Sequence, residues 1–549
     1  MFKDQFPFFI NKPEQVYLDS AATTQKHASV VAVVNDYHLH HNATVHRSAY
    51  QIANQATALY ENSRNSVAKL ISAKSSAQIV FSSGATESIN TIANGLHKTM
   101  LCGSKILILA SEHHANLIPW QKVASRFNLQ IEIVKLSADG CFTQNEFDQF
   151  SKQLTADVAI LAMAHVSNAL GNIYPVKEVC NTANNLQILT VIDGTQAIAH
   201  MPVNVEDIGC DFYVFSGHKM YGPTGVGVLY GKSEHLENLA PFKLGGEMIT
   251  QVSYTHAEFQ PAPLKFEGGT PNVAGVIGLG KACEFLLNNI VSIQQHEKEC
   301  YTALLEQLEK VSGLRILGNM RDSIGVVSIV LDKHNISDLA PLLYQKHIAV
   351  RVGHHCAMPL MDFLQVAGTL RVSLACYTTM GDLDNFMRSL QLSLTVLDEG
   401  ESGLDEQKVS VNELLPLAQK IKSANGWDNQ YRQLLLASKS LKIMPVELRI
   451  PDNAVFGCES DLWISVQQNQ LSAYSQSKIV RGILAVLIEK ATELLRSEGS
   501  KNADDAAHNA AAEFDYFDYL AKLKLTPYFS AGRRDGVQNA VSAIKQKLK

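Results

Sequence analysis

The sequence predicts an α/β protein with a mostly parallel sheet, followed by two smaller α+β parts. Two observations predict the first sheet. From about residue 61 to 240, short apolar runs alternate with helix-sized amphipathic stretches, and such runs are typical of strands buried on both faces. Each run ends in polar residues, and ligands of parallel sheets bind at the carboxyl ends of the strands. The runs are "QIVFSS", "KILILAS", "IEIVKL", "VAILAMAHVSN", "ILTVIDGTQA" and "DFYVFSGHKM".

Three further segments follow along the chain. A long helix and the runs "GVVSIVL", "HIAVRVG" and "TLRVSLACY" predict a smaller α+β unit that ends near Leu397. Residues 401–411 belong to an acidic stretch without apolar periodicity, which predicts a linker. A new core begins near residue 412, with the helical "IVRGILAVLIEKATELL" and the strand-like "LWISVQQ". The predicted domains are therefore 1–400 and 412–549. The first divides into a large part at about 20–275 and a small part at about 276–400, which also takes the N-terminal segment.

Composition limits the partners that the chain can bind. A net charge of −6, without any run of Lys or Arg longer than a pair, disfavours nucleic acid and anionic membrane surfaces as partners. The N-terminus lacks the apolar stretch and cleavage site of a secretory signal, so we expect a cytoplasmic protein. Nine scattered cysteines without a CxxC pair indicate free thiols in a reducing compartment and disfavour a structural zinc site.

Asp193 and Lys219 each follow a predicted strand of the first sheet. An aspartate at a strand end is usually a turn former, and a lysine there is usually solvated, so neither residue alone predicts a site. Together they match two needs of pyridoxal phosphate. The cofactor requires a lysine amine for covalent attachment and a carboxylate beside its ring nitrogen. The pair therefore indicates a pyridoxal-phosphate site.

A third need of pyridoxal phosphate is a cradle for its phosphate. "GATES" precedes a helical stretch, and the backbone N–H groups and the Thr86 hydroxyl at that helix start can bind an anion, unless they form only a helix cap. An isolated histidine is more often packed in the core or solvated than functional. The remaining candidates therefore support a site only when they are taken together. They are Ser216 and His218 for the phosphate, Gln196 for the ring hydroxyl, Thr270 of "GGT" for a further anion contact, and His113 of "SEHHAN" for stacking on the ring.

Cys356 stands in "RVGHHCAMPL", a loop that also places two imidazoles and Arg351 near the thiol. Neighbouring cations lower the pKa of a thiol and favour the reactive thiolate. A metal site is the weaker interpretation, because three consecutive residues cannot converge on one tetrahedral ion without distortion. We therefore expect a nucleophilic Cys356 and no metal. The alternative of a buried apolar thiol suits four other cysteines better: Cys180, Cys210, Cys283 and Cys376.

A set of motifs between about Phe6 and Leu397 resembles the cysteine desulfurases of the SufS and CsdA group. The motifs are "YLDSAATTQK", "HRSAY", "GATESIN", "SEHHANLIPWQ", "HVSNALGNIYPV", "VIDGTQA", "DFYVFSGHKMYGPTGVGVLY", "FEGGTPN" and "VRVGHHCAMPLM". The resemblance implies a pyridoxal-phosphate enzyme of aminotransferase fold-type I that works as a homodimer. It also implies that Cys356 takes the sulfur of L-cysteine as a persulfide while L-alanine is released.

The same resemblance implies roles for the other candidates. Those toward the cofactor are covalent attachment by Lys219, pairing with the ring nitrogen by Asp193, stacking by His113, phosphate binding by Thr86, Ser216 and His218, and contact with the neighbouring subunit's cofactor by Thr270. Ala85 and Gln196 are two further residues that we expect to bind the cofactor. Those toward the substrate are bidentate binding of its carboxylate by Arg371, with Asn168, Arg351 and His355 nearby.

The segment from about Val411 to Lys549 resembles a second family, the sulfur acceptors SufE and CsdE. The motifs are "WDNQYRQLLLASKSL", "MPVELRIPDNAVFGCESDLWISV" and "LTPYFSAGRRDGVQNAVSAIKQ". The resemblance implies that Cys458 is an acceptor cysteine and that Arg533 takes the position of the family's C-terminal arginine. Fusion raises the local concentration of an acceptor at its donor. Transfer of sulfur from Cys356 to Cys458 is therefore expected, within one chain or across the dimer.

We expect this sulfur to supply iron–sulfur cluster assembly on a SufBCD-like scaffold, with activity on selenocysteine as a side reaction. The alternative destination is a pathway of the CsdA and CsdE type, such as tRNA modification. Two different functions stay open from the sequence alone. A kynureninase-like or aminotransferase reaction would use Lys219 and Asp193 without Cys356, and a non-catalytic tail would carry no sulfur on Cys458.

Overall fold

The computed structural model describes residues 2–402, 417–424, 427–442, 444–457, 461–467, 470–496, 511–525 and 531–548. The chain forms two compact units. The first comprises Met1–Val330 and His347–Met387, and the second comprises Leu331–Lys346 and Arg388–Lys549. Two stretches that the sequence prediction assigns to the first domain, Leu331–Lys346 and the chain from Arg388 to residue 400, thus belong to the second unit.

The described elements alternate between helix and strand through most of the chain. The helices are α1 (Pro7–Asn11), α2 (Ala28–Asp36), α3 (Gln51–Leu70), α4 (Ala85–Gly95), α5 (Ile118–Phe127), α6 (Gln144–Gln153), α7 (Val176–Asn185), α8 (Val205–Ile208), α9 (Ser233–Asn238), α10 (Val273–Leu308), α11 (Ile336–Gln345), α12 (Met358–Phe363), α13 (Met380–Ser402), α14 (Leu417–Ser423), α15 (Trp427–Ser440), α16 (Lys478–Arg496), α17 (Tyr516–Lys522) and α18 (Ala531–Lys547). The strands are β1 (Val16–Tyr17), β2 (Ile79–Ser82), β3 (Lys105–Leu109), β4 (Gln130–Val134), β5 (Val158–Ala164), β6 (Leu189–Asp193), β7 (Phe212–Ser216), β8 (Gly227–Gly231), β9 (Ile249–Val252), β10 (Ala257–Phe259), β11 (Leu314–Leu317), β12 (Val326–Leu331), β13 (Ile348–Ala349), β14 (Arg351–Gly353), β15 (Thr369–Ser373), β16 (Leu462–Gln467) and β17 (Gln470–Ser475).

A seven-stranded sheet forms the centre of the first unit, in the order β2-β8-β7-β6-β5-β3-β4. The strands from β7 to β4 pair in parallel, whereas β8 runs antiparallel to both β7 and β2. Every residue of β5, β6, β7 and β8 is buried, as the continuous apolar runs predict. The predicted α/β fold with a mostly parallel sheet is therefore confirmed.

A smaller antiparallel sheet in the first unit has the order β11-β12-β15-β14. Arg351 of β14 lies opposite Arg371 of β15 in the register. The long helix α10 packs against α2 and α3. By length and composition α10 is the one helix of the described chain that could cross a membrane, but 56% of its most apolar window is buried inside the protein, as in the core helix of a globular domain.

The second unit contains a β-hairpin and several helices. β16 and β17 pair antiparallel, and α16 packs against α15 and β17. The buried Asp338 of α11 caps α16, because its carboxylate accepts hydrogen bonds from Ser477 Oγ at 2.6 Å and Lys478 N at 2.9 Å. A carboxylate at a helix N-terminus is stabilising. Helix α13 ends at Ser402, so it includes the first two residues of the predicted linker, whose remainder lies outside the described residues.

Candidate active site

A cavity of about 220 Å³ lies beside the carboxyl ends of β5, β6 and β7 in the first unit. Asp193 is the last residue of β6, and Lys219 ends the short 3-10 turn that follows β7. Because the two strands are parallel neighbours in the sheet, both residues reach the same edge. The cavity therefore forms where the sequence predicts a functional site.

The cavity brings together most of the residues predicted from the sequence. They are Ala85, Thr86, His113, Asn168, Asp193, Gln196, Ser216, His218, Lys219, Arg351, His355, Cys356 and Arg371. Thr270 does not line it, but lines another cavity of about 140 Å³ together with Ser83 and Gly268. Cys458 and the side chain of Arg533 lie outside the described residues.

Burial governs the protonation of Lys219 and Asp193. Burial, and after it the guanidinium of Arg371, lowers the pKa of Lys219 to about 8, although the Asp193 carboxylate opposes this shift. The neutral amine, which is the nucleophilic form, is therefore accessible close to neutral pH. Burial also raises the pKa of Asp193, whose Oδ1 accepts a hydrogen bond from Thr195 N at 3.0 Å. A cationic ring nitrogen beside this carboxylate would favour its charged form.

The start of α4 forms the part of the cavity that suits an anion. Ala85 is the first residue of this helix, and its N–H donates to Ser216 Oγ at 2.8 Å, which joins the helix start to the end of β7. Thr86 follows one residue into the helix, where backbone N–H groups and the helix dipole favour negative charge. His218 stands on the same side, and burial, followed by the charge of Lys219, lowers the pKa of His218 to about 4.

His113 faces the cavity from the turn that follows β3. Its Nδ1 accepts a hydrogen bond from Ala115 N at 3.0 Å, so the neutral ring carries its proton on Nε2. Burial, and next the charge of Lys219, lowers the pKa of His113 to about 4. Its imidazole is therefore neutral near pH 7, which suits stacking on a ring and leaves Nε2 as the donor.

Cys356 is exposed on the loop between β14 and α12 and lines the cavity. His355 and Cys356 both have left-handed backbone angles, with φ of 52° and 56°. Such angles are costly for residues other than glycine. The loop is held in this shape by two hydrogen bonds, one from Asn168 Nδ2 to His355 O at 2.7 Å and one from His114 N to Cys356 O at 2.8 Å.

The imidazole of His355 is not a cation beside the thiol. It is buried, and its Nε2 lies 2.8 Å from Thr369 Oγ1. Burial, followed by the charge of Arg371, lowers the pKa of His355 well below its usual range. His354 is half-buried and is not among the cavity-lining residues. The cationic side chains that line the cavity together with the thiol are thus those of Lys219, Arg351 and Arg371.

Several cavity residues were not predicted as site residues. They are Ala21, Ala22, Ala115, Ala164, Val166 and Thr195. Most of these side chains are small and leave room for a ligand. A search of the sequence for reactive or charged residue types does not find them. Thr195 lies two residues beyond Asp193, the last residue of β6, and this closeness to a strand end was the only sequence signal for it. Within the described part of the chain, no group of three or more His, Cys, Asp or Glu side chains is arranged to hold a metal ion.

Comparison with known proteins identifies the family. Residues 16–386 match the family model "Aminotransferase class-V", and residues 416–548 match "Fe-S metabolism associated domain", the SufE domain. A probable cysteine desulfurase of Pseudomonas putida is 41% identical over 389 residues, which cover 71% of this chain and 96% of that protein. A probable cysteine desulfurase of Halalkalibacterium halodurans is 40% identical over 384 residues, covering 70% and 94%.

The chain belongs to the cysteine desulfurases. Solved structures agree with this assignment. The cysteine desulfurase CsdA from Escherichia coli is 37% identical with a TM-score of 0.67, covering 72% of this chain and 98% of that one. The apo cysteine desulfurase from Thermococcus onnurineus is 33% identical with a TM-score of 0.68, at the same coverage. The predicted resemblance to a desulfurase fused to a SufE domain is therefore confirmed.

Cysteine desulfurases of the class-V aminotransferase family depend on pyridoxal phosphate, and the residues of this cavity fit that cofactor. Lys219 would supply the amine, Asp193 the carboxylate, and the start of α4 the anion cradle. Two buried polar atoms of the cavity walls have no hydrogen-bond partner among the described residues: His355 Nδ1 and Arg371 Nε. Buried polar atoms are rarely left without a partner, so these atoms are available to a polar ligand in the cavity.

In the SufE domain the structure describes the chain up to Gly457, the residue before Cys458. Gly457 has a φ of 87°, and a Cβ added there would lie 2.7 Å from Asn539 Nδ2. Asn539 Nδ2 also donates to Phe456 O at 2.8 Å, while Val455 N donates to Leu462 O at 2.8 Å. Glycine is therefore required at this position on conformational grounds. Phe456, the preceding residue, is 79% exposed.

Proposed function

We propose that this desulfurase converts L-cysteine to L-alanine, with Cys356 as the sulfur acceptor of the first step and Cys458 of the SufE domain as the next. The observation that carries the proposal is the exposed Cys356, which lines the same cavity as Lys219, Asp193 and Arg371. An aminotransferase has no use for a nucleophilic thiol at this place. The thiol therefore favours desulfuration over transamination or a kynureninase-like reaction.

Four side chains take part in the first step, the formation of the persulfide on Cys356. Pyridoxal phosphate, when bound, supplies the electron sink that makes the α-proton of the amino acid removable. Arg371 binds the substrate carboxylate, and the neutral amine of Lys219 takes the α-proton. The Cys356 thiolate attacks the substrate sulfur, so the S–S bond of a persulfide forms and the C–S bond breaks. The carbon fragment keeps the electron pair of the broken C–S bond. Lys219 returns the α-proton to it, and His113 passes on the proton that Cys356 lost on ionisation, so the fragment leaves as L-alanine.

The second step is a thiol exchange that needs no cofactor. The Cys458 thiolate attacks the outer sulfur of the Cys356 persulfide, so one S–S bond forms, one breaks, and Cys356 leaves as a thiolate. The chain would work as a homodimer in the cytoplasm, with Thr270 placed near the neighbouring subunit's cofactor. We propose iron–sulfur cluster assembly on a SufBCD-like scaffold as the destination of the sulfur, because the second domain belongs to a family associated with iron–sulfur metabolism. The same chemistry would release selenium from selenocysteine.

Mass spectrometry of the cysteine peptides after incubation of the holoprotein with L-cysteine tests both steps. We expect extra sulfur on Cys356 and Cys458 in the wild type, on Cys356 alone in Cys458→Ala, and on neither residue in Cys356→Ala. Cys102→Ala is the matched control, because Cys102 is the other exposed cysteine of the described residues. Production of alanine at the wild-type rate by Cys356→Ala would refute the first step. Sulfur on Cys458 in that variant would refute the order of transfer.

The destination needs its own experiment. The wild type and Cys458→Ala are mixed with L-cysteine, ferrous iron and an apo SufBCD-like scaffold, and cluster formation is followed by absorbance. We expect a rate that depends on Cys458. If the scaffold acquires clusters equally fast with both proteins while a sulfur-carrier protein for tRNA modification takes sulfur only from the wild type, the iron–sulfur destination is wrong.

A further inference from the structure

The segment Asp19–Lys26 connects β1 with α2 and runs along the cavity, which Ala21 and Ala22 line. Its first part is fixed to β15, the strand that carries Arg371. Asp19 forms a parallel bridge with Ser373, Ser373 N donates to Leu18 O at 2.8 Å, and Ala21 N donates to Ser373 Oγ at 3.0 Å. The start of the segment therefore has a fixed position relative to Arg371.

Arg371 is held from two sides within the cavity wall. Its Nη1 donates to Asn168 O at 2.9 Å, and its Nη2 donates to Asp19 Oδ1 at 3.1 Å. Arg371 is 2% exposed, and among the described residues its Nε has no hydrogen-bond partner. The guanidinium is thus oriented by two protein acceptors, and its three other N–H groups, that of Nε among them, are left for a ligand.

The far end of the same segment holds the turn that carries Lys219. The carbonyl oxygen of His218 accepts hydrogen bonds from Thr24 N at 3.0 Å and from Lys26 Nζ at 3.1 Å. The hydroxyl groups of Thr23 and Thr24 donate to the same oxygen, each at 3.1 Å. The peptide bond just before Lys219 is therefore immobilised by three residues of this segment.

We propose that Asp19 is a positioning residue that orients Arg371 for the substrate carboxylate, and that the segment Asp19–Lys26 fixes this arginine relative to Lys219. The inference rests on the proposed function, which gives Arg371 the carboxylate of L-cysteine. A long arginine side chain loses rotamer freedom when it binds a ligand. Asp19 and Asn168 hold the Arg371 side chain in one position before the substrate binds, so less side-chain entropy is lost on binding.

Two contrary effects of Asp19 can be separated by experiment. As an orienting acceptor, Asp19 strengthens binding of a carboxylate. As a negative charge beside Arg371, it competes with that carboxylate and weakens binding. The geometry favours orientation, because Asp19 bonds to Nη2 and leaves Nε to the ligand. Asp19→Asn keeps an oxygen acceptor without the charge, and Asp19→Ala removes both.

Ligand binding to the pyridoxal-phosphate-loaded protein tests the proposal without requiring turnover. The probes are 3-mercaptopropionate, which has the carboxylate and thiol of the substrate without its amine, and cysteamine, which has the amine and thiol without the carboxylate. In Asp19→Ala we expect the Kd of 3-mercaptopropionate to rise about tenfold, the effect of losing a hydrogen bond to a charged group. In Asp19→Asn it should rise less than about threefold, since the acceptor is kept. The Kd of cysteamine should be unchanged in both.

Two outcomes would overturn the proposal. Unchanged or tighter binding of 3-mercaptopropionate by Asp19→Ala would show that Asp19 does not orient Arg371. An equal loss for both probes would show a general structural role. Asp19→Ser, whose hydroxyl is too short to reach Arg371, provides the same test if Asp19→Ala does not fold. Alanine production by the wild type is measured separately, so failure of the proposed function and failure of this inference are distinguishable.

Discussion

The backbone carbonyl of Cys356 accepts a hydrogen bond from the amide of His114 at 2.8 Å. His114 follows directly on His113, which faces the cavity, so the turn after β3 supports the cysteine loop. A second support comes from Met358 N, which donates to His114 Nε2 at 3.0 Å. Two successive left-handed residues need such support, because each costs about 1–2 kcal/mol relative to ordinary backbone angles. Cys356, the proposed nucleophile, is thus held in place by contacts that come partly from outside its own loop.

Asn168→Ala is expected to slow sulfur transfer without loss of cofactor. The substitution removes the donor to His355 O but keeps the Asn168 carbonyl that binds Arg371. A misplaced nucleophile costs about 10- to 100-fold in rate, so persulfide formation on Cys356 should slow by that amount while the absorbance of bound pyridoxal phosphate stays the same. The matched control is Asn94→Ala, since Asn94 is exposed and donates within its own helix. Wild-type persulfide formation in Asn168→Ala would contradict the role of this bond.

Gly227→Ala is expected to weaken retention of the cofactor. A Cβ at Gly227 would lie 2.4 Å from Gly84 Cα, and Gly84 immediately precedes α4 and its anion cradle. Because Gly84 Cα belongs to the backbone, it can move away from the added Cβ only if the start of α4 shifts. We expect cofactor dissociation to be at least about tenfold faster, the effect of losing one charge-assisted hydrogen bond. Gly246→Ala is the control, because a Cβ there meets no atom within 4 Å. Equal dissociation rates of the two variants would show that the cradle tolerates the shift.

The rate at which the apoprotein takes up pyridoxal phosphate is expected to rise with pH and to level off above pH 8. The neutral Lys219 amine is the reacting form, and burial lowers its pKa to about 8. Below this value the protonated fraction increases, so the rate should fall about tenfold for each pH unit. Stopped-flow absorbance measures the rate, and Lys219→Ala controls for reaction at other lysines. A midpoint near 10, the value of an exposed lysine, would contradict the environment described for Lys219.

The sequence predicted the part of the fold that local patterns encode. The six apolar runs became β2 to β7, and the polar residues at the ends of β6 and β7 reached one cavity. β8 was not predicted, because its position between β2 and β7 depends on antiparallel pairing across the sheet rather than on its own pattern. The hairpin β9–β10 has largely exposed side chains, so it lacks the alternation that predicts a strand.

The contacts that position the site residues were also beyond prediction. Asp19 and Arg371 are separated by 352 positions in the chain, and their contact exists only because β15 runs beside the segment after β1. A single sequence carries no signal for such a pairing. Thr270 lines a separate cavity, and its predicted contact with a neighbouring subunit's cofactor stays a prediction. The role of Cys458 stays a prediction from the SufE motif, because the residue lies outside the described range.

His165→Gln is expected to make the protein less sensitive to acid. His165 is buried with Nδ1 2.9 Å from Tyr213 Oη, and burial lowers its pKa to about 4. Between pH 6.5 and 4 the unfolded imidazole takes up a proton that the folded one excludes, so the free energy of unfolding falls as the pH decreases through this window. The loss from this one group amounts to about 2–3 kcal/mol by pH 4.5. An amide in its place keeps a partner for Tyr213 and does not titrate. Urea unfolding of the apoprotein at pH 7 and pH 4.5 should therefore show a smaller loss for His165→Gln than for the wild type, whereas equal losses would place the acid sensitivity at other groups.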